Sequence, residues 1–193
     1  MYVVEILVYT KCYTVIIHSL VNENNLSYVV NNIHRISSIT TSQILMATKK
    51  DISYGIIPVR KRGKKFETLL INQISNVRGD SYWIFPKGHP VNGEGAVAAA
   101  LRELKEETGL SPYKVDSERP IDLNYTFWID GTKIQKTVTF FLGFIDDSST
   151  LQLQPAEVKE AAWFSKADAA KRITHDNARL VLNRAFSYLQ QCS

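Results

Sequence analysis

Apolar residues along this chain change their spacing in a way that marks strands and helices. Runs at 52–60, 66–73, 81–85, 121–129, 133–145 and 158–164 are short, rich in β-branched and aromatic residues, and bounded by Gly, Pro, Asp or Ser; they predict strands. Lys61-Arg62-Gly63-Lys64-Lys65 reads as a basic turn between the first two, and Asp130-Gly131 as a tight hairpin turn. From Glu94 to 108 the spacing is helical: Val97, Ala100, Leu101 and Leu104 fall at i, i+3, i+4 and i+7, and Gly109 supplies the residue expected past a helix C-terminus. Ser165 with Asp168 resembles a capping-box start for a short helix. Val181, Leu182, Ala185, Phe186 and Leu189 form an amphipathic stripe within 176–190. Strands interleaved with helices predict an α/β fold, a mixed sheet with helices on it and Trp163 in the core.

The pattern is legible only after Met46. Residues 1–45 contain no Gly, Pro, Ala, Asp, Phe or Trp and carry no net charge, so the whole net charge of +4 lies beyond them. Cys12 to Asn22 is the longest apolar stretch free of Lys, Arg, Asp and Glu there, too short for a bilayer, which needs about 20 residues. Glu5 and the lack of a small-residue cleavage site match a signal peptide poorly. We therefore expect 1–45 to be a disordered or dispensable extension and 46–193 to be one domain; an added strand or partner-binding arm is the alternative, given the high β propensity. Cys12 and Cys192 have no metal-ligand spacing and read as two unpaired thiols of a reducing, cytoplasmic compartment.

Glu103, Glu106 and Glu107 stand at i, i+3 and i+4 on the helix, on a face expected to lie away from the apolar stripe. Like charges so close repel, and a hard divalent cation, Mg²⁺ or Mn²⁺, would relieve them. For an isolated Glu-x-x-Glu-Glu a solvated acidic face is the commoner outcome. The surroundings change that: Gly88, five residues, Glu94, seven residues, then Arg102-Glu103-Leu104-Lys105-Glu106-Glu107-Thr108-Gly109-Leu110. A chance match to all these positions is on the order of one in ten million at ordinary residue frequencies.

That run resembles the signature box of the Nudix hydrolases, which add water to a phosphorus of a nucleoside diphosphate linked to another group. The resemblance implies an α/β/α sandwich with the box as a loop-helix-loop. It also implies divalent metal held by Glu103, Glu106 and Glu107 with help from a carbonyl beside Gly88, Arg102 orienting a neighbouring glutamate, and Glu94 bracing the loop and helix start. Ser53 to Arg60, Trp83 with Phe85-Pro86-Lys87-Gly88-His89, Leu123-Asn124-Tyr125, Lys136-Thr137-Val138 and Glu157 before Trp163-Phe164 sharpen it toward asymmetrically cleaving diadenosine tetraphosphate hydrolases. By that resemblance Lys87, His89 and Lys136 contact a phosphate chain and Tyr125 carries an adenine. Each also has a plainer reading: Tyr125 as cross-strand packing, His89 as a solvated loop imidazole, Glu157 as a surface acid rather than a fourth carboxylate or base. The segment from Thr126 to Gln135 is longer than expected for the animal members, which predicts a lengthened hairpin.

The expected partner is a small nucleotide, with neither membrane nor nucleic acid involved, and the expected state a monomer. Three functions remain open: cleavage of diadenosine tetraphosphate to ATP and AMP; hydrolysis of diphosphoinositol polyphosphates, nucleoside triphosphates or capped RNA ends; and a sensor without catalysis. The mild basicity has a candidate address in Lys87, Lys136 and the turn from Arg60 to Lys65.

Overall fold

A computed structural model describes residues 2–9, 14–21, 48–75, 79–129 and 131–191. It divides into two compact units, Met1–Ala47 and Thr48–Ser193. In the first, β1 (Tyr2–Tyr9) and β2 (Thr14–Val21) form an antiparallel pair in which Tyr2 opposes Val21. Both cysteines lie outside the described residues.

The second unit contains β3 (Thr48–Arg62), β4 (Lys65–Ile74), β5 (Ser81–Ile84), β6 (Lys87–Gly88), α1 (Ala96–Thr108), β7 (Lys114–Ile129), β8 (Thr132–Phe144), β9 (Val158–Ser165), α2 (Lys166–Arg172) and α3 (Asp176–Gln191). Its strands make one seven-stranded sheet among the described residues. β3 and β8 run parallel, and every other pairing is antiparallel, so the sheet is mixed as expected. Alternation along the strands sorts the core into two layers. Ile57, Leu70 and Phe140 face Val181, Leu182 and Phe186 of α3, while Ile56, Leu69 and Phe141 face Ala100 and Leu104 of α1. The α/β/α sandwich follows from that parity. No helix among the described residues is long and apolar enough to cross a membrane.

One departure from regular pairing positions the site. β3 and β4 pair only near their turn, from Val59↔Thr68 to Arg62↔Lys65, and then diverge. β5 lies along β4 in the opening, and β6 pairs with β3 at Tyr54 and Gly55. The main chain of Ile56 donates to the Pro86 carbonyl at 3.1 Å. Gly55 permits the approach, since a Cβ there would stand 2.5 Å from that carbonyl oxygen. Lys87 and Gly88 are thereby set into the sheet, where α1 crosses it.

Three features differ from expectation. The helix begins at Ala96, because Gly95 is extended and the Glu94 side chain turns back to accept from the Val91 N–H at 3.1 Å. β7 starts at Lys114, since an irregularity between Asp116 and Ile121 breaks the alternation that would have revealed the earlier half. Trp163 is half-buried at the edge of the α1-side core, with the Arg60 guanidinium 4.4 Å above its ring. The hairpin is present: Ile129 opposes Thr132, with Gly131 at φ +76°. Asp130 of that turn lies outside the described residues.

Candidate active site

The three glutamates of α1 have different environments. Continuing the stripe from Leu104 by three and four positions reaches Glu107 and Thr108, and both are fully buried. The expectation that all three carboxylates face away from the stripe is therefore corrected: Glu107 occupies a stripe position, Glu103 flanks it, and Glu106 is exposed.

Glu107 is held from two sides. Its Oε2 accepts from the Lys87 main-chain N–H and its Oε1 from the Gln73 side-chain amide, both at 3.0 Å. The other end of Gln73, Oε1, accepts from the Tyr82 hydroxyl and the Lys87 ammonium, again at 3.0 Å. Burial pushes the Glu107 carboxyl up to about 8; the Lys87 charge and N–H oppose this, and Glu103 and Glu157 add to it. Burial also lowers Lys87, against the pull of Glu107. Desolvation outweighs the mutual attraction on both members of the pair. The site is short of positive charge.

Glu103 lies under Gly88, where a Cβ would collide with its carboxylate. Arg102 ties the outer side together: its guanidinium donates to Glu94 at 3.0 Å, to Glu103 at 2.8 Å, to Glu106 at 2.9 Å and to the His89 carbonyl at 2.8 Å. The hydrogen bonds from Arg102 and the Val91 N–H lower the Glu94 carboxyl. Glu94 thus joins loop and helix from outside the helix. At the helix end, Gly109 adopts φ +73° and its N–H donates to the Lys105 carbonyl. The loop before β9 is tied to the same turn, with the Gln152 N–H donating to the Thr108 carbonyl at 2.9 Å. It brings half-buried Glu157 within electrostatic reach of Glu107.

On the far side of Lys87, Asp51, Ser53, His89 and Lys136 form a second cluster. Lys136, only 7% exposed, reaches Ser53 Oγ at 2.7 Å and Asp51 Oδ1 at 2.9 Å. His89 Nε2 lies 2.7 Å from the same Asp51 oxygen. Tyr125 opposes Lys136 directly across the β7–β8 pair. It stacks on Phe127 with ring centres 5.8 Å apart, and burial pushes its hydroxyl up to about 12. Tyr82, Lys87, Tyr125, Phe127 and His175 line a cleft of about 920 Å³. A smaller one of about 490 Å³ lies beside Lys49, Asp51, His89 and Phe127.

The basic turn is not part of this arrangement. Gly63 lies eight positions beyond Gly55, which sits beside Lys87, about 26 Å along the strand at 3.3 Å per residue. Arg60 is occupied by Glu67 at 2.7 Å and Asp147 at 3.4 Å. Asp51, Gln73 and Tyr82 were not foreseen as site residues. Asp51 falls just outside the strand predicted at 52–60, and its opposition to Lys136 exists only once β3 pairs with β8. Gln73, a polar residue ending an apolar run, carries a visible but nonspecific signal.

Among the described residues no three His, Cys, Asp or Glu side chains converge on one point: Arg102 Nη1 engages Glu103 and Glu106, while Gln73 and the Lys87 N–H engage Glu107. The donor set still suits a hard divalent cation: clustered carboxylates, one of them buried and short of compensating charge.

The chain is similar in sequence and fold to known proteins. Pig bis(5'-nucleosyl)-tetraphosphatase (asymmetrical) is 28% identical over 144 residues, which are 70% of this chain and 92% of that protein. A Mycobacterium tuberculosis protein named as mutator protein MutT4 is 35% identical over 103 residues, 53% of this chain but only 40% of that protein's length. The crystal structure of a C. elegans Ap4A hydrolase in a binary complex superposes with a TM-score of 0.63 at 26% identity, covering 73% of this chain and 98% of that one. The NUDIX domain model matches residues 49–184, from the start of β3 into α3, so the chain belongs to the Nudix family of hydrolases.

Proposed function

We propose that this protein is a divalent-metal-dependent hydrolase of dinucleoside polyphosphates that splits diadenosine tetraphosphate into ATP and AMP. The observation that carries this reading is the placement of Lys87. Its main chain holds the catalytic-helix carboxylate Glu107, while its side chain lines an aromatic cleft containing Tyr125. A dense anion and an adjacent base would thus lie on the two sides of one residue. The similarity to the pig and C. elegans enzymes points the same way.

Glu103, Glu106 and Glu107, with a carbonyl beside Gly88, would hold Mg²⁺ or Mn²⁺. The bound cation would neutralise charge on the phosphate oxygens and make water acidic enough to attack near neutral pH. Gln73 and the Lys87 N–H fix the direction in which the Glu107 oxygens point. Arg102 keeps Glu103 and Glu106 on the same side of the helix and leaves Glu94 to brace the loop. Glu157 stands near enough to Glu107 to serve as a fourth carboxylate or as the proton acceptor. Lys87 meets phosphate as a point charge, and Tyr125 with Phe127 offers an aromatic face for adenine.

Inositol pyrophosphates demand a denser basic surface than this site offers once the Lys61–Lys65 turn is placed at the far end of β3. Incubation with Mg²⁺ and diadenosine tetraphosphate, followed by chromatography, is expected to give ATP and AMP in equal amounts. Absence of both products, with rapid turnover of an inositol pyrophosphate or a capped RNA, would overturn the substrate assignment.

A further inference from the structure

Asp51 receives two cationic or donor groups on one oxygen. Lys136 Nζ is 2.9 Å and His89 Nε2 2.7 Å from Oδ1, while Nζ and Nε2 are 3.2 Å apart. These distances fix the direction of the hydrogen bonds. An Nε2 lone pair aimed at a carboxylate oxygen 2.7 Å away would set acceptor against acceptor, so Nε2 carries the proton and donates to Asp51. The 3.2 Å approach of Nζ to Nε2 is then a proximity rather than a bond, and Lys136 donates to Asp51 and Ser53 with one N–H left over. His89 is 67% exposed, and Nδ1 is its uncommitted ring nitrogen. Burial raises the Asp51 carboxyl, yet the hydrogen bonds and charges of Lys136 and His89 bring it below its usual range, so it stays an anion beside these groups.

We propose that Asp51 is a positioning residue: it grips His89 by Nε2 and Lys136 by its ammonium, so that Nδ1 of His89 and the remaining Lys136 N–H face the phosphate chain of the substrate. This rests on the reading of the site as a polyphosphate site. It assigns a role to a strand residue outside the signature box and makes His89 a contact by one nitrogen only. Without Asp51 the imidazole loses the acceptor that holds its Nε2–H, and Lys136 keeps Ser53 as its polar anchor. An asparagine retains an oxygen that accepts from both groups, so D51N preserves the geometry that D51A removes.

The test is a double-mutant cycle on the full chain, read both as affinity for inorganic tripolyphosphate by calorimetry and as KM and kcat for diadenosine tetraphosphate with Mg²⁺. D51A is expected to weaken tripolyphosphate binding and raise KM by about tenfold with kcat within about twofold, and D51N to recover most of the loss. In the H89A background D51A should cost clearly less than it does in the wild type, by at least about threefold, because part of its effect runs through His89. D51A binding tripolyphosphate as the wild type does, effects of D51A and H89A that simply multiply, or no tripolyphosphate binding by the wild type would each overturn the proposal. Wild-type tripolyphosphate binding with no turnover of diadenosine tetraphosphate would instead sink the substrate reading and leave the Asp51 result standing on the calorimetry.

Discussion

The acidic end of α1 and the cationic cluster around Lys136 lie on opposite sides of Lys87 and solve the same electrostatic problem differently. Around Lys136, each charge faces its opposite: Asp51 is shared by an ammonium and an imidazole N–H, so the buried cation has an anion in direct contact. Around Glu107, a buried carboxylate has a main-chain N–H and an amide as partners and two further glutamates in its field, with its carboxyl raised in consequence. Burying a charge without a full counter-charge costs several kcal/mol. The buried charge at Lys136 has its counter-charge within the chain, and the one at Glu107 is compensated only in part.

The sharpest way to break this contrast is to neutralise Glu107. E107Q should lower kcat by about a thousandfold in steady-state assays with Mg²⁺, while the protein remains folded by circular dichroism. Near-wild-type turnover would mean that Glu107 is a structural acid. G88A drives a methyl group into the Glu103 carboxylate, and about a hundredfold loss of kcat with little change in KM is expected, because a misplacement near 1 Å is enough for that. On the cationic side the sign of the effect changes from kcat to KM: Y125L should raise KM about tenfold with Y125F near wild type, as a lost stacking face predicts.

Stability distinguishes the two regions without any substrate. The Glu107 carboxyl is raised in the folded chain from about 4.5 to about 8, so the folded state keeps a proton that the unfolded state has already released. Stability contributed by that proton is present at low pH and is lost as pH rises between those values. In EDTA, the wild-type Tm should therefore fall by a few °C more than that of E107Q between about pH 5.5 and 8.5, and Mg²⁺ should reduce the difference. Equal slopes in the two proteins would remove the electrostatic distinction. The smallest effect is expected from deleting residues 1–45: a chain starting at Met46 keeps β3 whole and should retain kcat/KM within about twofold, and loss of folding would make the first unit part of the enzyme.

How much was legible varies with the origin of each feature. Helix α1, its C-terminal glycine, the box residues and the strand positions are local: 3.6- and 2-residue periods, a positive-φ requirement and a spacing of like charges are all written within about 25 residues. The burial of Glu107 was also available, since it continues the stripe set by Val97, Ala100 and Leu104, but a carboxylate is not expected there. The N-terminal half of β7 was hidden because its irregular register breaks alternation.

By itself, then, the amino-acid order determined the α/β class, the helix that carries the carboxylates and the membership of the family, because these rest on short-range spacing. Only the folded chain decided which carboxylate is buried, that Gln73 and the Lys87 main chain hold it, and that the basic turn lies far from the site. The divergence of β3 from β4 sets Lys87 between them, and the parallel pairing of β3 with β8 brings Asp51 to Lys136 from 85 positions away. Partners that far apart meet only when the sheet closes, and no periodicity along the chain encodes which residue will face which.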